Sequence, residues 1–147
     1  MNLDVRWRQR FQNFKRAFIL LREALDEGDA EQFPSIVQEG IIQRFMYTFE
    51  LGWKVFKDYL VFRGANLIET TPRKVIKECA AFGLFNEAEI DGSVYLDMLE
   101  TRNLLSHTYD FERFKVAIKQ IQHSYLAELD KQHMYFLEKD LLKDDEF

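Results

Sequence analysis

Apolar residues at Trp7, Phe11, Phe14, Phe18, Leu21 and Leu25 recur at steps of four and three, the spacing of one helix face. Asp4 is placed to cap the start of this helix, and Glu27–Gly28–Asp29 to end it. The same period returns after Pro34–Ser35, with Ile41, Phe45, Phe49, Trp53, Phe56 and Leu60 on one stripe. That pattern predicts a helix reaching about Arg63 and stopped by Gly64, roughly 40 Å long at the rise of an α-helix. Gly52 interrupts it beside Trp53, where it lowers helix propensity. Two readings fit: another helix approaches closely there, or the glycine is simply tolerated.

Thr71–Pro72 is an N-cap and first-turn pair, and it opens a short helix that Gly83 closes. Leu84 to Gly92 reads as a connector. A further helix is predicted from about Ser93 to Leu105, with Tyr95, Leu96, Leu99 and Leu104 turned inward. Asp110 caps the last helix, whose buried stripe runs through Phe114, Ala117 or Ile118, Ile121, Tyr125, Leu129 and Phe136. No segment sustains the two-residue period of a strand, and no repeat or linker divides the chain. The expectation is a single all-α domain over residues 1–138: an up-and-down bundle of four main helices plus one additional short one. The charged tail, residues 139–147, is expected to fray.

Composition refines this picture. With 147 residues the chain can bury a sizeable core, and its fourteen Phe, six Tyr and two Trp supply material for that core and for interfaces. Twenty basic against twenty-five acidic residues give a formal charge of −5. No global positive field draws nucleic acid, so any such role requires a local basic patch or a composite site. Arg6, Arg8, Arg10, Lys15 and Arg16 make the first helix basic, as a solvated face or as a docking surface for RNA or an acidic partner. One cysteine, Cys79, forms no internal disulfide and fits a reducing compartment. The first residues do not resemble a signal peptide, and no apolar run is long enough to cross a bilayer. A cytoplasmic protein without membrane contact is expected.

Most of the chemistry is concentrated in Arg102–Asn103–Leu104–Leu105–Ser106–His107–Thr108–Tyr109. Arginine offers a fixed fork of donors that cannot lose its charge, and histidine moves protons near neutral pH. The set suits a phosphate. With RNA, an imidazole could take the proton of a 2′-hydroxyl while an arginine steadies charge on phosphorus, and such a step requires no metal. His107, His123 and His133 have no ligand spacing with Cys79 or one another, so neither metal nor cofactor is expected. Arg102 and His107 are five apart, about 140° around an ideal helix. They meet on one ligand only if the helix unwinds before His107 or if two copies of the motif face each other. Alternatively, His107 caps a helix and Tyr109 anchors packing.

Arg102–Asn103–Leu104–Leu105–Ser106–His107 resembles the RNxxxH motif of HEPN-domain proteins, and Tyr109 completes the wider R-x(4)-H-x-Y form. Gln43–Arg44–Phe45–Met46–Tyr47–Thr48–Phe49–Glu50–Leu51–Gly52–Trp53–Lys54 is similar to the nucleotidyltransferase substrate-binding protein family, part of the same group. The resemblance implies a left-handed four-helix bundle and a homodimer with the motifs near its axis. It also implies a small nucleotidyltransferase as partner. Two descriptions of such pairs exist: a substrate-binding subunit serving the transferase, or an RNA-cutting toxin silenced by it. In the second, Arg102 and His107 are catalytic, Asn103 supports them, and Tyr109 receives AMP from the partner. The chain has no Gly-rich phosphate loop, so nucleotide transfer falls to the partner.

Overall fold

The computed structural model describes residues 2–107 and 109–145, with the side chains of Glu31 and of residues 143–145 outside the description. Helices α1 (Leu3–Leu25), α2 (Ser35–Phe62), α3 (Pro72–Phe82), α4 (Leu84–Ala88), α5 (Gly92–Leu105), α6 (Phe111–Gln120) and α7 (Leu126–Asp145) follow in order. A single 3-10 turn, Ala30–Gln32, joins α1 to α2. Among the described residues there is no strand, and the protein is all-α.

The two long helices α1 and α2 pack along each other, and α7 packs against α1. Their shared core is aromatic: Trp7, Phe11, Phe14, Phe18, Phe45, Phe49, Phe56 and Phe136 are all buried. Trp7, Tyr59 and Phe136 meet edge to face or tilted at centroid distances of 5.1–5.6 Å, the geometry that ring quadrupoles favour. Gly52 sits where α2 comes closest to its neighbours. A Cβ there would lie 2.9 Å from the Tyr95 hydroxyl and 3.2 Å from Phe14 Cε2, so close approach is the reading that holds. The glycine carbonyl accepts from Gln132 Nε2 at 2.8 Å, and the Tyr95 hydroxyl donates to Gln132 Oε1.

Several local expectations are corrected. Asn2, not Asp4, caps α1: its Oδ1 accepts from the Asp4 N–H at 2.9 Å. Asp4 lies in the first turn, and its carboxylate accepts from Trp7 Nε1 and Arg8 Nε, each at 2.9 Å. The predicted connector after Gly83 contains a one-turn helix, α4, because Leu84 and Phe85 bury themselves against the core. Gly83 has φ +90°, which lets the chain turn left-handed between α3 and α4. In α5 it is Leu105 that is buried, while Leu104 is exposed and Leu96 half-buried.

The predicted last helix is one rod, but its winding changes midway. Ile121–Tyr125 form a π-helical turn between α6 and α7. That turn carries the Tyr125 hydroxyl to 2.7 Å from the Thr101 hydroxyl and 2.6 Å from Asp97 Oδ2, tying the rod to α5. The helix continues through Asp140, whose carboxylate accepts from Arg8 Nη1 and Gln12 Nε2, each at 2.9 Å. Residues 146–147 of the expected tail lie outside the described residues. No helix among the described residues is long and apolar enough to cross a membrane.

Candidate functional site

The site is assembled where the end of α5 faces one stripe of α2. Residues Glu39, Gln43, Met46 and Glu50 fall within about 60° of one another around α2, at steps of four, three and four. Each of them meets part of the 102–109 segment.

Arg102 projects from α5 to Glu50, with Nη2 donating to Oε2 at 2.5 Å, and its Nη1 donates to Asn103 Oδ1 at 2.9 Å. Glu50 also holds Lys54 at 3.4 Å. Burial pushes the Glu50 carboxyl up, but the Trp53 indole and the cations of Arg102 and Lys54 outweigh it and hold its pKa below the ordinary carboxylate range. The acid is therefore ionised at neutral pH, and it fixes the arginine fork while leaving it half-exposed. Phe49 and Trp53, both to one side of this stripe around α2, are buried in the core.

Helix α5 ends in Leu105. The Ser106 N–H still donates to the Arg102 carbonyl at 3.1 Å, and the His107 N–H donates to the Leu104 carbonyl at 3.2 Å. The helix thus stops at Leu105, before His107. His107 emerges in the following turn, exposed to solvent. It lines an open cavity of about 400 Å³ together with Tyr109, Glu39, Gln43, Met46 and Phe114. Arg102 and Asn103 do not line this cavity. One chain thus brings His107 and Tyr109 to one cavity, with Arg102 and Asn103, in the last turn of α5, outside its lining. Thr108, the remaining residue of the motif segment, lies outside the described residues.

Tyr109 is 75% exposed and stands edge-on to Phe111 and Phe114, at 5.6 and 6.0 Å between centroids. Its hydroxyl is hydrogen-bonded to Glu39, and that carboxylate raises the phenol's pKa above its ordinary value. The tyrosine is accordingly a surface group with an acceptor beside its reactive atom, not a core anchor. Asp110 caps α6, with Oδ1 accepting from the Glu112 N–H at 3.0 Å. That cap fixes where the 106–109 turn ends and α6 begins.

Glu39, Gln43 and Met46 were not expected at this site, and Glu50 reads in sequence as a surface partner of Lys54 alone. Their signal is Glu39, Gln43 and Glu50 at helical spacing on one face of α2, with Met46 among them. Cys79 takes no part. It is buried in α3, and burial pushes its thiol far above the range in which a thiolate forms.

An all-helical protein with an arginine, an asparagine, a histidine and a tyrosine around one helix end is what the resemblance to HEPN-domain proteins implies. Residues 9–137 match the family described as nucleotidyltransferase substrate binding protein like, and the chain belongs to that family. It is also 33% identical over 95 residues to a protein of Haemophilus influenzae (strain ATCC 51907 / DSM 11121 / KW20 / Rd) named probable ribonuclease HepT. That alignment covers 60% of this chain and 62% of the relative. The protein is thus of HEPN type and linked to nucleotidyltransferase systems.

Proposed function

We propose that this chain is the toxin component of a two-component nucleotidyltransferase system, a cytoplasmic, metal-independent RNA endonuclease that works as a homodimer. The observation that carries the reading is that His107 lines an open cavity whose lining does not include Arg102, which is paired with Glu50. Two copies facing each other across a twofold axis supply the missing half, with the arginine of one beside the histidine of the other. In that composite site His107 takes the proton from a 2′-hydroxyl, and the 2′-oxygen attacks the adjacent phosphorus. The bond from phosphorus to the 5′-oxygen breaks, and that oxygen leaves as a 5′-hydroxyl, taking up the proton that the imidazole removed. Arg102 stabilises the charge that gathers on the phosphoryl oxygens, and Asn103 steadies Arg102. The product is a 2′,3′-cyclic phosphate. The cognate minimal nucleotidyltransferase silences the enzyme by adding AMP to Tyr109, which lies in the same cavity as His107.

The name of the relative supports the ribonuclease reading, and the family description supports the alternative, a non-catalytic subunit that presents substrate to the transferase. Incubation of the purified protein and His107→Ala with total RNA in chelator separates them. Cleavage that disappears in the variant and leaves 2′,3′-cyclic phosphate ends is the expected result. No cleavage by folded wild type that carries no AMP on Tyr109 would establish the alternative.

A further inference from the structure

We propose that the groove between α1 and α2 is a binding track for a single strand of RNA that feeds the His107 cavity; this inference rests on the ribonuclease reading above. The groove has a volume of about 540 Å³ and is lined by Asn13, Arg16, Leu20, Gln43, Arg44 and Tyr47, with Ala17 at its floor. Three features set it apart.

The first is charge. Most of the arginines that make α1 basic are neutralised in place. Arg6 and Arg10 lie 3.6 and 3.1 Å from the buried Asp58, and Arg8 contacts Asp4 and Asp140 at 2.9 Å. Arg16 and Arg44 differ. Arg16 Nη1 donates to Asn13 Oδ1 at 3.2 Å and Arg44 Nη1 to the Leu20 carbonyl at 2.9 Å. Both bonds are to neutral acceptors, and no acid lines the groove among the described residues. Two guanidinium groups with spare donors, on opposite walls of one groove, form a local cationic strip in a chain of net charge −5.

The second is an exposed ring. Tyr47 is 63% exposed in a protein that buries most of its aromatics, and it lines the groove beside both arginines. An exposed ring flanked by cations that track a backbone is the arrangement that holds unpaired bases and their phosphates together. Aromatic stacking tolerates any base, and guanidinium groups fit phosphate oxygens in pairs.

The third is continuity. Gln43 lines this groove and also the His107 cavity, so the two are adjacent, with a single side chain between them. Around α2 the groove-facing Arg44 and Tyr47 lie beside the stripe that carries Glu39, Gln43 and Met46. A strand seated on Tyr47 therefore runs toward the imidazole. A duplex offers no free base faces for the ring, which makes the ligand a single strand.

Fluorescence anisotropy with a labelled single-stranded RNA 20-mer tests this, using His107→Ala as the parent to prevent cleavage. Arg16→Ala/Arg44→Ala in that background is expected to weaken binding by about tenfold or more. It should also flatten the plot of log affinity against log salt by about 1.4, roughly 0.7 for each phosphate no longer neutralised on a single strand. Tyr47→Ala should weaken binding by about tenfold and Tyr47→Phe should not. Circular dichroism and native mass on each variant confirm an unchanged fold and assembly. Unchanged affinity and salt slope in the double-arginine variant overturn the track, and if wild type still cuts RNA the ribonuclease reading survives alone. A change in oligomeric mass makes the groove an interface between copies and also overturns the proposal. A parent that binds no RNA overturns both readings. Groove-dependent binding without cleavage by wild type sustains the track and removes only the ribonuclease.

Discussion

Arg102 on α5 and Glu50 on α2 hold each other at 2.5 Å across 52 residues of sequence. Their ion pair joins the two segments on which the family resemblance rests, so the acid that reads as a surface charge is the anchor of the motif arginine. Both side chains remain about one-third exposed, and an ion pair in that setting contributes at most about 1 kcal/mol to folding. Glu50→Ala should therefore leave the urea midpoint nearly unchanged while loosening the arginine. If the proposed ribonuclease site is correct, RNA cleavage by the variant should fall by about tenfold or more, because the arginine assigned to the reacting phosphate is no longer held in position. Glu50→Gln, which can still accept from Arg102, should recover part of the rate. Equal activity in wild type and Glu50→Ala would remove the anchoring role.

Gly52 carries a prediction with two opposing terms. Alanine in place of glycine favours an isolated helix by about 1 kcal/mol. Here its Cβ would enter the space between the Tyr95 hydroxyl, Gln132 Oε1 and Phe14, at 2.9, 3.1 and 3.2 Å. All three neighbours are buried, and the first two share a hydrogen bond, while the Gln132 amide also binds the glycine's own carbonyl. Overpacking of this kind typically costs about 1–3 kcal/mol. Gly52→Ala should lower stability in urea unfolding; a gain would mean that the crowded side chains move aside at little cost.

Much of the fold is legible from punctuation and period. Thr71–Pro72 and Gly83 bracket α3, and Gly64 follows α2, because proline presets the φ of a first turn and glycine accepts the positive φ that ends a helix. What escapes is decided by packing between segments distant in sequence. Leu104 and Leu105 are adjacent leucines, and only the direction from which α2 and α6 pack chooses which is buried. The π-turn at Ile121–Tyr125 leaves no mark in a periodic pattern, since one extra residue merely shifts the stripe. The site divides in the same way. The 140° separation of Arg102 and His107 holds only for a continuous helix, whereas α5 ends at Leu105, and the acids that receive Arg102 and Tyr109 lie on another helix, where no local spacing identifies them.

His133 gives the molecule a pH dependence. It is buried between Phe11 and Phe18, and neither ring nitrogen has a hydrogen-bond partner. Burial lowers its pKa from 6.5, with Asp130 pulling the other way and Arg22 and Lys15 adding to the depression. Below pH 6.5 the unfolded chain binds a proton there that the folded chain refuses. This contribution therefore costs nothing above that pH and destabilises progressively as the pH falls toward the lowered folded value. Urea midpoints measured between pH 5 and pH 7.5 should show a steeper decline for wild type than for His133→Leu. Parallel profiles would show that the imidazole is not carried neutral into the fold.

Tyr109 and Glu39 bear on the proposed silencing by AMP. The tyrosine hydroxyl projects from an exposed ring and is hydrogen-bonded to the Glu39 carboxylate, so the bond aims the oxygen while raising its pKa. Transfer of AMP from a nucleoside triphosphate forms a bond from the tyrosine oxygen to the α-phosphorus and releases pyrophosphate. The phenolic proton must leave during that step, and Glu39 is the acceptor beside it. Co-expression with the cognate nucleotidyltransferase should add the mass of AMP to wild type and to neither Tyr109→Phe nor Tyr109→Ala. Glu39→Gln preserves a hydrogen bond but is a poor proton acceptor, so it should be modified more slowly, with the deficit shrinking as the pH rises and hydroxide replaces the carboxylate. AMP found on another residue would relocate the silencing site, whereas equal rates for wild type and Glu39→Gln at every pH would leave Tyr109 as target and remove only the role of Glu39.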